Sequence, residues 1–191
     1  MNFVNITKHI FLLLALSTFF IACKKKTPEP PEEQDIELEV KLELIYNGES
    51  IQLNQNLTTA QGYPFQVREL HIILTQIKNG DKNLLDASYM DLATRGNTLL
   101  KAKGKPSDYP NLQGAIGVVQ PWNNADPVSF PNDSPLNIMN MGGMHWGWAA
   151  GYIFYKFEGL FSPNSGSETL NEVFTYHIGF NQYRENFSWE N

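Results

Sequence analysis

The chain has 191 residues, enough for one ordinary domain, and its 42% hydrophobic and 18% charged residues argue against disorder or a repetitive fibrous protein. Its 14 Lys and Arg against 20 Asp and Glu give a formal charge of -6, and an acidic chain with no basic stripe is a poor nucleic-acid binder. One cysteine excludes a disulfide framework and any zinc site built on cysteine pairs, and 13% aromatics lean toward β structure.

The N-terminus reads as an address followed by a tether. Lys8 is the only Lys, Arg, Asp or Glu before residue 24, and residues 10–22 form an uncharged apolar run. Thirteen residues are too few to span a bilayer comfortably and suit the core of a signal peptide. The run ends at Phe20, Ile21, Ala22 and Cys23, which resembles the lipobox of bacterial lipoproteins, where the cysteine is lipidated and becomes the new N-terminus. Phe20 stands where that motif usually has leucine. Three lysines follow, then residues 27–35, rich in proline and glutamate, too stiff and polar to pack. The expected organisation is a signal peptide over 1–22, a lipidated Cys23 with a tether to residue 35, and one extracytoplasmic domain over 36–191.

In that domain Ile36, Leu38, Val40, Leu42 and Leu44 alternate with Glu37, Glu39, Lys41 and Glu43, which predicts a strand with one wet face. Asn47-Gly48 predicts a hairpin turn, with Ile51 and Leu53 on the returning strand. A second strand is expected from Phe65 to Lys78, closed by Asn79-Gly80, and a short one over residues 89–92. Residues 98–103 read as one or two helical turns. Residues 104–143, with repeated Pro, Gly, Asn and Asp, read as a long irregular connection. Residues 148–157 are apolar at both parities, as in a central strand. Residues 173–180 form the last expected strand, with Phe174, Tyr176, Ile178 and Phe180 on one side and Val173, Thr175 and His177 on the other. Strands separated by turn signals, with little helix, point to an all-β antiparallel β-sandwich.

The densest chemistry lies at residues 139–148, where Met139, Met141 and Met144 are followed by His145, Trp146 and Trp148. Thioether sulfur and imidazole nitrogen are copper ligands, and the same methionines and tryptophans are equally ordinary core fillers. If Phe174, Tyr176 and Ile178 fill the core, His177 points away from it, free to bind a ligand or merely solvated. His71 is a third, weaker candidate. Asp126, Asp133 and Glu158 form no pair at a telling spacing, and Asp81, Asp86 and Asp91 read as turn residues. The chain has no phosphate-cradling glycine loop, nucleophile elbow or zinc-protease helix motif, so no enzyme activity is expected.

Residues 114–123 (Gly-Ala-Ile-Gly-Val-Val-Gln-Pro-Trp-Asn), Asp126-Pro127, residues 134–137 (Ser-Pro-Leu-Asn), residues 144–154 and residues 176–179 (Tyr-His-Ile-Gly) occur in that order. Together with residues 67–77 they resemble the MbnP-like copper-binding domain family of bacterial extracytoplasmic proteins, most specifically in the Trp-x-Trp-x-x-Gly-Tyr-x-Phe string from Trp146 to Phe154. The resemblance implies copper binding outside the cytoplasm, with His177 as first ligand and His145 and Met144 as further candidates. It implies a site lined by Trp146, Trp148 and Tyr152, oxidation of one of the tryptophans to kynurenine, and a partner resembling a dihaem peroxidase. Two departures stand out. Residues 117–121 lack the compact Gly-Val-Pro of the family. The chain also ends eleven residues after Phe180, where the family usually continues with further strands, so either the sandwich closes unusually or its last sheet has an open edge. The alternative is a glycan- or peptide-binding envelope lipoprotein using Trp122, Trp146, Trp148 and Tyr152 as stacking surfaces, or one whose role is purely structural or adhesive.

Overall fold

The computed structural model describes residues 34–147 and 150–190. The signal-peptide and lipidation expectations, Cys23 included, and the Trp148 expectation lie outside them.

Strand β1 (Ile36–Lys41) is followed by the two-residue strands β2 (Ile45–Tyr46) and β3 (Glu49–Ser50), then β4 (Leu57–Thr58), β5 (Pro64–Asn79), β6 (Lys82–Asp91), β7 (Thr98–Gly104) and β8 (Asn111–Ile116). After the long connection come β9 (Ile153–Phe161), β10 (Glu172–Gly179) and β11 (Glu185–Glu190). All pairings are antiparallel. The alternation of residues 36–44 ends as β-strand at Lys41, and the β2–β3 hairpin turns at Asn47 and Gly48, both with positive φ as expected. The next hairpin closes one residue later than expected. Asn79 pairs with Lys82, which leaves Gly80 and Asp81 in the turn.

The sixteen residues of β5 carry the sheet. One edge pairs with β9 over its first half and with β8 over its second; the other pairs with β4 and β6. The register shifts near Gln76, whose φ of 52° marks a bulge. Side chains on the two faces of β5 and β6 therefore enter two different cores. Leu70, Ile72, Leu74, Ile77 and Met90 pack beneath Leu99 and Leu100 of the β1–β7 ribbon. Ile73, Ala87 and Tyr89 pack on the other face with Phe154, Tyr152 and the connection residues Val118, Leu136, Met141 and Met144. Burying each such side chain contributes about 1.5–3 kcal/mol. The result is an all-β sandwich in which the irregular connection is part of a core.

Three expectations are corrected here. Residues 98–103 form strand β7, not helical turns: Leu and Lys favour helix locally, but pairing with β1 and burial of both leucines override that preference. The connection is not wholly irregular, since it contains β8, and β11 follows β10 and pairs with β8. The aromatic face of β10 does not fill the core. This strand lies at the sheet edge, where Val173, Tyr176 and Ile178 are 65%, 59% and 41% exposed.

Gly159 tests this arrangement, because a Cβ there would run into the carbonyl oxygen of Gln66 and the ring of Phe174. Gly159→Ala is expected to lower the unfolding free energy by about 2 kcal/mol or more in urea denaturation. A variant as stable as the parent would contradict the register across β5, β9 and β10.

Candidate functional site

The connection between β8 and β9 is held by a few buried polar side chains. Asn123, in a short 3-10 turn, is 2% exposed. Its Oδ1 accepts the Tyr152 N–H at 2.9 Å, and its Nδ2 donates to Asn181 Oδ1 at 3.0 Å. One side chain thus ties the connection to the approach of β9 and to the turn after β10. The Tyr152 hydroxyl donates to the Leu136 carbonyl at 2.6 Å, and burial, aided by the nearby Asp126 charge, raises its pKa. Asp126 itself accepts the Val128 N–H and caps the following turn.

His145 forms an isolated bridge with Tyr152, and the two rings meet edge to face at 4.8 Å. Its Nδ1 accepts the Gly147 N–H at 2.9 Å. Burial lowers its pKa below the ordinary 6.5, partly opposed by the Asp126 charge. Trp146 points elsewhere. Its ring packs on Phe180 at 5.3 Å and fills the space above Gly179, where a Cβ would lie 2.5 Å from it. Phe180 adopts φ 69° and ψ 144°, a strained conformation for a bulky residue, held by this contact.

His177, on β10, places Nε2 2.5 Å from Glu158 Oε1. The contact belongs to a polar row that crosses the sheet on one face. Lys156 Nζ lies 3.4 Å from Glu158 and 2.5 Å from Glu69, which approaches His71 Nε2 at 3.4 Å. His71 Nδ1 meets the Tyr89 hydroxyl at 2.7 Å and faces Asp91 at 3.9 Å. The Lys156 hydrogen bond lowers the Glu69 pKa against the effect of burial. Burial also opposes the charged form of Lys156, but Glu69 and Glu158 outweigh it and raise its pKa.

The structure thus brings Trp146, adjacent to His145, onto Gly179 and Phe180, which closely follow His177. It joins His177 to His71 through three charged side chains rather than directly. Met144 is fully buried beside Met141 in the core, which accounts for both as packing residues. Sequence reasoning passed over Lys156 and Glu69, and left Glu158 without a partner. Their signal was the polar alternation Lys156, Glu158 within a strand otherwise read as apolar at both parities.

Among the described residues no three His, Cys, Asp or Glu side chains converge as a ready-made metal cage. The donor chemistry nevertheless fits copper. His177 and His145 each have one ring nitrogen engaged and the other without a hydrogen-bond partner among the described residues, and imidazole is a copper ligand.

The MbnP family model matches residues 35–190. Among solved structures, MbnP from Methylosinus trichosporium is similar in fold, with a TM-score of 0.52 and 18% sequence identity, over 76% of this chain and 63% of that one. The chain thus spans less than two thirds of that protein's length. No curated protein is similar enough to match.

Two outcomes follow from this geometry. Gly179→Ala should displace the Trp146 ring from its seat and change the tryptophan fluorescence of the folded protein. An unchanged spectrum would contradict the packing of Trp146 on β10. Tyr89 is pushed up to about 12 by burial, then by the Asp91 charge, with Arg95 opposing. A raised pKa favours the protonated fold, so its share of stability is present below the ordinary value of 10.0 and is lost as pH rises through about 12. Alkaline unfolding should be less steep in that window for Tyr89→Phe, which should cost about 1 kcal/mol at neutral pH for the lost hydrogen bond to His71.

Proposed function

The chain belongs to the MbnP family, and from that premise we propose that it is an extracytoplasmic copper-binding lipoprotein that holds or acquires copper and turns over no substrate. The observation that carries the reading is the convergence of two distant stretches. Trp146 sits on Gly179 and Phe180, so the chain that bears His145 and the strand that bears His177 meet at one end of β9. Each imidazole has one nitrogen without a hydrogen-bond partner among the described residues. With Met141 and Met144 buried, the reading rests on the histidines, His177 first and His145 second. Bound copper would be held by soft or borderline donors, with selection by ligand type and geometry.

The surrounding residues have separate tasks. Asn123 and Tyr152 hold the connection in place, and Phe180 covers one face of the Trp146 indole. Trp146 is 39% exposed, open to oxidation by a dihaem peroxidase-like partner. Kynurenine formed there or at Trp148 would add an amine and a carbonyl that indole lacks. Lipidation of Cys23, with the stretch to residue 35 as a spacer, would keep the domain at a membrane surface.

A second reading has its own support. Tyr155, Phe157, Phe174 and Tyr176 form a chain of ring contacts running from the core toward the exposed edge strand, a surface suited to stacking on a glycan or peptide.

Copper titration of the purified protein decides between them. The copper reading expects bound metal and loss of most of the affinity in His177→Ala. Absence of binding, or full binding without His177, would favour the aromatic surface.

A further inference from the structure

We infer that Glu158 is the positioning residue that presets His177 as the first copper ligand, while the Gly147 amide latches His145 until a later step. This rests on the copper reading above and assigns an order to the two imidazoles.

The argument starts from which atoms can donate. A carboxylate only accepts, so the 2.5 Å contact between His177 Nε2 and Glu158 Oε1 has the ring donating, with its proton on Nε2. In the neutral ring the lone pair is then on Nδ1, which has no hydrogen-bond partner among the described residues. Orientation of a ligand imidazole by a carboxylate on its far nitrogen is the usual support for a metal-binding histidine. Glu158 is itself held, since Lys156 lies 3.4 Å from the same oxygen and is anchored at its other contact by Glu69. The His177 and Glu158 side chains are 26% and 23% exposed, so an ion can reach the ring from solvent.

His145 also carries its proton on Nε2, but for the opposite reason. A backbone N–H only donates, so Nδ1 must accept from Gly147, and the ring's one lone pair is already in use. Copper can bind Nδ1 only after the Gly147 N–H leaves. It can bind Nε2 only if the proton moves to Nδ1, where it would face that N–H. Gly147 has φ 111°, a conformation that favours glycine, so the latch depends on the turn as built. One ring is open and the other is closed by its own loop. Capture at His177 therefore precedes engagement of His145, and the second event requires the Gly147 N–H to leave Nδ1.

The test uses the full chain with 15N-labelled histidine, titrated with copper(I) under anaerobic conditions. The metal-free spectrum should show both rings protonated at Nε2. The first copper added should shift His177 Nδ1 while its Nε2–H persists, with His145 Nδ1 following at higher occupancy or more slowly. Glu158→Ala should weaken copper binding by roughly tenfold to a hundredfold, and Glu158→Gln, whose amide carbonyl still accepts the Nε2–H, should recover much of it. The inference is overturned by a metal-free His177 protonated at Nδ1, by His145 responding first, or by Glu158→Ala binding like the parent. A spectrum that shows the expected protonation but never responds to copper overturns the copper reading itself, and the ligand order with it.

Discussion

One strand sets which face each side chain of the polar row takes. β5 is hydrogen-bonded to β4, β6, β8 and β9, so the two-residue period of its side chains is imposed on its neighbours. Leu70, Ile72 and Leu74 take the face under the β1–β7 ribbon, while Glu69, His71, Ile73 and Thr75 take the other. Register then aligns His71 with Lys156, and Lys156 with His177, on that second face. A one-residue slip would send this polar row into the opposite core, so the apolar pattern that stabilises the sheet also fixes the candidate site.

The same face has two regimes. Around Ile73, Phe154 and Met141 it is covered by the connection and dry. Toward β10 it opens, and charged side chains appear in mutual contact. Lys156 bridges Glu158 and Glu69 in a partly exposed setting, where ion pairs contribute modestly to stability. Their larger effect is to orient the His177 ring. Burial and charge thus divide the labour: the apolar half places the elements, and the polar half aims the imidazole.

Much of the fold was legible in the sequence, and the reasons are local. Alternation announced β1, β5 and β10, and Asn-Gly announced the first hairpin. What failed was decided by distant partners. β7 is helix-prone by composition and a strand by pairing, and β11 has no alternation clean enough to stand out without β8 beside it. The strand expected over residues 173–180 forms as Glu172–Gly179, with Phe180 outside it, but nothing local could say that it lies at an edge with its aromatics exposed. At the site, His145, His177 and Trp146 were visible as residue types, whereas Glu158 acquires meaning only when β9 and β10 lie side by side. Asn123 is invisible for the same reason, since its partners Tyr152 and Asn181 are fixed by the fold alone.

Asn123 also sets a schedule. Its two hydrogen bonds close loops of 29 and 58 residues, so the connection, β9 and the turn after β10 are joined only once Asn181 is present. Long-range closures of this kind are entropically costly and form late. A chain that extends past His177 but not to Asn181 has the histidines but not the clamp that gathers their neighbourhoods. Assembly of the site is thereby deferred until the turn after β10 is in place.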